Sequence, residues 1–431
     1  MSLQIVAGGS GAGKSTYIYS DVIEKSMKYP EKNYIVVVPE QYTMATQKKL
    51  VDSHPRKGIL NIDVVSFERL SYKVFEEIGG QNHPVLDDTG KNLIVRKVLG
   101  DNRDKLRYFG SNINKTGFVS ELKSVISEFL QYDIDVKRLG EIRERVEDSR
   151  QLSAKLDDIS VVYSAFKEYL ADNYITSEEI LSVLCSVIDR SENIKRSEII
   201  LDGFTGFTPI QYRLIELLLI YSGKVIVSVT ADSREKLNVN EGVQQLFFMS
   251  KEMVSKLYRI CDVIHVDVLN PIILDNEKNP RFVSDEIAFL EKNIFRNNNQ
   301  SYNKKCEDIK IITAQTPKEE LNYCISEILR LTRYEGYRYR DIAIVSADMA
   351  SYGILAGNIC RQNRIPCFVD NKKPVTDNPF VEYIRSALEI IEKSFTYDSI
   401  FRYLRSGMSG ISREDVDLLD NYCLAVGIRG S

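Results

Sequence analysis

Gly8-Gly9-Ser10-Gly11-Ala12-Gly13-Lys14-Ser15 is a complete G-x-x-x-x-G-K-S run near the start of a chain of 431 residues. The apolar stretch Leu3-Gln4-Ile5-Val6-Ala7 precedes it, and an amphipathic segment from Thr16 to Lys28 follows. A strand, a glycine-rich loop and a helix, in that order, turn such a run into a phosphate cradle. Glycines let successive backbone N–H groups curl round an anion, and the start of the next helix adds partial positive charge. Lys14 is then placed to reach the β- and γ-phosphates, and the Ser15 hydroxyl to hold Mg²⁺. The sequence predicts an α/β fold around a nucleoside triphosphate site, with Gly8, Gly9, Ser10, Gly11, Ala12, Gly13, Lys14 and Ser15 as its binding residues.

Strand-like runs recur at Leu3–Ala7, Tyr34–Val38, Ile62–Val65, Ile199–Leu201 and Val225–Val229. Short apolar runs separated by helical stretches predict a parallel sheet covered on both faces. Between Asp87 and Arg196 the strand signal stops, and helical spacing takes over, as at Val161, Tyr163, Ala165, Phe166, Tyr169 and Leu170. Thr176-Ser177-Glu178-Glu179 fits a capping box. Thr208-Pro209-Ile210-Gln211 and Thr316-Pro317-Lys318-Glu319 mark two further helix starts, each directly after a strand run. The Asn-rich stretch 296–305 reads as a linker. Beyond it come strand runs at Ile309–Thr313, Ile342–Val345 and Cys367–Val369, with helices over 317–333 and 350–363.

The expected organisation is a first sheet domain from 1–90 and 196–295, a helical insertion over 91–195, a partial second sheet domain over 306–379, and a helical region from 380–431. Three strands are too few for a second nucleotide-binding lobe, so the chain is expected to be part of a longer one.

Composition narrows the function classes. A formal charge of −4 and a pI near 5.7 place any nucleic-acid contact in a local groove and not in the overall field. No apolar leader or membrane span is legible, so a cytoplasmic protein is expected. The seven cysteines at 185, 261, 306, 324, 360, 367 and 423 are scattered, as are His54, His83 and His265. Reduced thiols, without a zinc site or a Ser-His-Asp constellation, are the expectation.

The second half of a nucleotide site needs a strand ending in Asp for the Mg²⁺ shell, followed in motors by a Glu that polarises water. The best candidate is Ile199-Ile200-Leu201-Asp202, giving Ser15 and Asp202 as the metal residues, with Gly203 where the Glu belongs. No catalytic residue is assigned. Glu40 and Glu68 are weighed as substitute bases, with a solvated or helix-capping role the simpler reading for each.

At this point the sequence resembles the UvrD-type superfamily 1 helicases, whose D-E-F-Q-D-T-N-x-x-Q has the length of Asp202–Gln211 and shares Asp202, Phe204 and Gln211. Val37–Thr43 stands where those helicases touch single-stranded DNA, and Ser66-Phe67-Glu68-Arg69-Leu70 resembles their T-F-H-x-L. After Val229–Asp232 there is no Q-S-I-Y. After Asp341–Val345 come Ser346 and Ala347 in place of a Tyr-Arg pair, so the phosphate-sensing arginine is not found there.

Five ordered stations, Gly8–Ser15, Val38–Gln41, Ser66–Leu70, Asp202–Gln211 and Arg340–Val345, together with Ile365–Asp370, resemble the AddB family of bacterial helicase–nuclease subunits. The resemblance covers essentially the whole chain. It implies a RecA-like first domain of the UvrD type, and a heterodimer with an AddA helicase–nuclease subunit. It also implies ATP and Mg²⁺ as ligands, contact with double-stranded ends and single-stranded DNA, and help in recognising the hotspot Chi. The family's nuclease domain and 4Fe-4S cluster are implied only outside this segment. Two alternatives stay open: an active DNA-stimulated ATPase, and a small-molecule kinase on the same loop. The cations and aromatics of Arg330–Arg340 could suit a single strand, but a helix end and turn with snorkelling side chains is the favoured reading.

Overall fold

The computed structural model describes the chain except residues 80–83, 111, 114, 133, 147–148, 172–173, 240–241, 275–280, 297–299, 371–374 and 431. His83 and the middle of the expected linker therefore lie outside the described residues. The chain divides into two units, Met1–Asp308 and Ile309–Ser431.

The first unit is built on a parallel sheet of seven strands: β1 (Ser2–Gly8), β2 (Asn33–Val37), β3 (Ile62–Val65), β6 (Ser197–Leu201), β7 (Lys224–Thr230), β8 (Asp267–Val268) and β9 (Ile272–Ile273). A separate pair, β4 (Val85–Leu86) and β5 (Ile175–Thr176), frames the insertion. The main order is β3-β2-β6-β7-β1-β8, with β9 also on β1. Every strand run expected in this unit is present.

Strand alternation explains why the runs are almost wholly apolar. Ile5, Ile35, Val37, Ile199, Leu201, Val225 and Val227 face one core, while Val6, Tyr34, Val36, Ile200 and Ile226 face the other. Both sides are buried, so neither parity can be polar. Each such Val or Ile contributes roughly 1.5–3 kcal/mol on burial.

Helices α1 (Lys14–Lys28), α2 (Thr43–Ser53) and α3 (Phe67–Ile78) follow β1, β2 and β3 in turn. The insertion then runs through α4 (Asp88–Asp101), α5 (Thr116–Gln131), α6 (Val136–Glu144) and α7 (Arg150–Ala171), with its own core of Val95, Leu99, Leu122, Ile126, Val162 and Phe166. Asp158 is buried there and accepts from the N–H groups of Arg107, Tyr108 and Phe109, which fixes the turn after α4. Helices α8 (Ile180–Val187) and α9 (Glu192–Lys195) lead back to β6, and α10 (Pro209–Tyr221) and α11 (Phe248–Val263) flank β7. The Thr176–Glu179 bonds form reciprocally, but in the turn before α8 and not at its first residue. The Thr208 capping box on α10 is complete.

Helix α12 (Asp285–Asn293) ends the unit, and the expected linker is strapped to it. Lys304 pairs with Asp285 at 2.9 Å, the Tyr302 ring lies 5.3 Å from Phe289, and Glu286 accepts from the Glu307 N–H at 3.0 Å.

In the second unit α13 (Pro317–Tyr334), α14 (Met349–Gln362), α15 (Pro379–Glu392), α16 (Tyr397–Leu404) and α17 (Arg413–Val426) match the helical expectation. The three strand runs do not form ladders, and no strand occurs among the described residues of this unit. Their composition carries strand preference, but that preference acts only through a packed, hydrogen-bonded neighbour. Ile311, Val345 and Phe368 are 91%, 92% and 90% exposed instead.

Candidate functional site

The phosphate loop leaves the sheet where β1 ends between β7 and the β8–β9 edge. Gly11 and Gly13 have φ of +81° and +92°, so the loop folds through left-handed positions that only glycine adopts freely. Gly13 is the N-cap of α1, and Lys14 opens the helix. The Lys14 ammonium donates to the Gly8 and Gly9 carbonyls at 3.0 and 2.9 Å, holding it over the loop. Burial lowers its pKa, the negative charge of Asp202 works against that, and Arg281 adds repulsion.

Arg281 is the residue that the sequence does not disclose. Its guanidinium donates to the Ser10 hydroxyl at 3.3 Å, and its stem lies on Gly11, where an added Cβ would come within 2.6 Å of Cδ. The two-residue strands β8 and β9 return the chain to the loop edge on which Arg281 then sits. A lysine and an arginine on one glycine loop suit a polyphosphate.

Asp202 follows β6, its N–H bonded to the Val37 carbonyl at 3.0 Å, and it is 5% exposed. Tyr19, one turn beyond Ser15 on α1, donates its hydroxyl to Asp202 Oδ2 at 2.7 Å. Ser228 donates to Oδ1 and accepts from the Gly203 N–H at 3.2 Å. Ser15 and Thr46 line the same cavity as Tyr19. Burial, and then the adjacent Asp202 carboxylate, push the Tyr19 pKa well above the usual phenol range. Each carboxylate oxygen of Asp202 thereby accepts a hydrogen bond from a neutral hydroxyl. Ser15, Tyr19, Tyr42, Thr46, Lys49 and Asp202 share a cavity of about 260 Å³. No cluster of three His, Cys, Asp or Glu suited to a metal occurs among the described residues.

Gly203 has φ of +83°. This is the position where a motor sequence carries Glu, and its left-handed backbone would strain any residue but glycine.

Three sequence stations meet at the C-terminal edge of the sheet, where ligands gather in open parallel sheets. Glu40, after β2, pairs with Arg69 on α3 at 3.2 Å. Ser66 caps α3 by accepting from the Arg69 N–H, and Glu68 lies in its first turn. Phe67 and Phe204 stand 5.3 Å apart, and Phe204 and Phe207 5.2 Å, forming one aromatic group from β3 and β6. Past it a cleft of about 810 Å³ is lined by Tyr132, Phe207, Tyr212, Arg213, Lys256 and Arg259, among others. That is the kind of local groove which the acidic overall charge requires of any nucleic-acid contact. In the other unit, Arg330 is held by Glu327 and Glu335, and Arg338 by Asp341 at 2.8 Å, so two of the four arginines of Arg330–Arg340 answer neighbouring carboxylates.

No helix among the described residues is long and apolar enough to cross a membrane. A family model described as ADDB, N-terminal, matches residues 5–291. Relatives named as the B subunit of an ATP-dependent helicase/deoxyribonuclease match the whole chain, with 45% identity in Lachnoclostridium phytofermentans, 36% in Clostridium novyi and 33% in Ruminiclostridium cellulolyticum. The chain spans 38% of the length of each of these relatives.

Proposed function

Because the chain belongs to the ADDB N-terminal family, we propose that it is the nucleotide-binding, degenerate helicase part of the B subunit of an ATP-dependent helicase/deoxyribonuclease. It binds ATP at Gly8–Ser15, guides DNA, and has little or no motor activity of its own. The observation that carries this reading is the pairing of a complete phosphate loop with a left-handed Gly203 beside Asp202. The loop retains the groups for binding, while the position for the carboxylate that would polarise water is a glycine whose backbone would strain any other residue. In the whole protein the partner is an AddA subunit in the cytoplasm, and the shared task is to process double-strand breaks for recombination.

The C-terminal edge supports the DNA part of the proposal. The half-buried rings of Phe204 and Phe207, seated on Phe67, and the cleft with Arg213 and Arg259 offer stacking faces and phosphate partners to a single strand. Help in recognising Chi would belong to the same edge. Arg281 at the loop favours a second reading, a working DNA-stimulated ATPase, because a second cation on the phosphates also suits phosphoryl transfer.

ATP binding and ATP turnover with and without single-stranded DNA separate the two. The expected result is nucleotide binding that Lys14→Ala weakens by at least about 10-fold, with turnover at background. DNA-stimulated turnover that vanishes in Lys14→Ala establishes the motor instead.

A further inference from the structure

We propose that Tyr19 takes the place of the divalent cation in this site, so that the nucleotide is held through its phosphates by Lys14 and Arg281 without a bound metal. The inference rests on the nucleotide reading above. In a phosphate-loop site the metal lies between the loop hydroxyl and the carboxylate that ends the neighbouring strand. Here those groups are Ser15 and Asp202, which share one cavity with Tyr19, and the Tyr19 hydroxyl is bonded to the carboxylate. It donates to Oδ2 of Asp202 at 2.7 Å, while Ser228 occupies Oδ1. A phenolic proton thus answers the carboxylate where a cation would.

Displacing Tyr19 is costly. Its ring is 5% exposed, packs in the core with Ile18, Val22, Ile23 and Val38, and carries the Lys49 ammonium 5.4 Å from its centre. Mg²⁺ demands near-octahedral oxygen ligation at close range and keeps several waters. An ion ligated directly by Oδ2 of Asp202 competes with the Tyr19 hydrogen bond held there by this buried ring. Arg281 supplies on the loop a second positive charge against the phosphates, which the ion would otherwise provide.

A fluorescent ATP analogue titrated into the whole chain, in excess Mg²⁺ and then in EDTA, tests this. The expected outcome is affinity that differs by less than about 3-fold between the two conditions. Tyr19→Phe keeps the ring and frees one Asp202 oxygen, so Mg²⁺ should then strengthen binding by about 10-fold over EDTA. A thermal melt of Tyr19→Phe and of Asp202→Asn checks that each folds. If the unaltered chain loses about 10-fold or more in EDTA and Asp202→Asn removes that difference, Asp202 holds a metal and this inference falls alone. If no nucleotide binds in either condition and Lys14→Ala is indistinguishable, the nucleotide reading falls and this inference with it.

Discussion

Gly11 and Arg281 are separated by most of the first unit in sequence, yet the stem of one fills the space where the other lacks a Cβ. Lys14 and Ser15 are legible from the sequence because their spacing is local and the loop imposes it. Arg281 and Tyr19 are not. The first depends on β8 and β9, each only two residues long, and the second sits on a helix face whose partner, Asp202, is 183 positions away. Gly203 is intermediate: its identity shows that a carboxylate is missing, but only its φ shows that one would be strained there. Gly11→Ala puts these contacts under test. A left-handed alanine costs about 1–2 kcal/mol, and its methyl group pushes the Arg281 stem away. The expected outcome is a modestly lower melting temperature together with roughly 10-fold weaker ATP binding, the equivalent of one charge-assisted contact. Unchanged affinity in the folded variant would show that Arg281 takes no part in holding phosphate.

Among elements, those buried on both faces were the easiest to read. β1, β2, β6 and β7 have apolar runs because each parity meets a core, and the expected and observed bounds differ by a residue or two. The same logic fails for Ile309–Thr313, Ile342–Val345 and Cys367–Val369, where apolar residues are present but no ladder is. The helical insertion rests on a polar device that periodicity does not reveal. Lys91 of α4 is 3% exposed and bonds Glu178 and Asp88, both at 2.8 Å. Burial by itself raises the Glu178 pKa, but the hydrogen bond and charge of Lys91 outweigh it and hold the value below the ordinary 4.5. A carboxyl that is more acidic when folded contributes stability above its unfolded pKa and loses it as pH falls through the lower folded value. The insertion should therefore melt progressively earlier below about pH 4.5. Glu178→Gln should lower stability near neutral pH by about 1–3 kcal/mol and flatten that acid dependence. Melting curves of the two chains between pH 7 and pH 3.5 make the comparison. Parallel curves would place the acid sensitivity in other carboxylates.

At the scale of the whole molecule, the division at Asp308 separates two very different cores. The first unit has a sheet buried on both faces and a second core in its insertion, including Tyr34, Tyr163 and Phe166, each at most 1% exposed. The second holds two small clusters, one around Leu321, Ile325 and Ile359 and one around Phe401, Leu404 and Val416. On α15, Phe380, Ile384, Leu388 and Ile391 are 56%, 44%, 65% and 72% exposed. Cooperative unfolding extends only as far as a shared core does. Apolar burial supplies most of the driving force, so the unit with less of it opens at lower denaturant. Urea unfolding of the full chain should therefore be biphasic. Residues 309–431 should lose amide protection first, while β1, β2, β6 and β7 remain protected to the second transition. Hydrogen exchange read peptide by peptide across a urea series distinguishes this from one event, and the loop Gly8–Ser15 belongs with the later phase because β1 anchors it. ATP should move the second midpoint upward and leave the first in place, since a ligand stabilises only the unit that binds it. A single transition that shifts as a whole with ATP would mean that the two units unfold as one cooperative body.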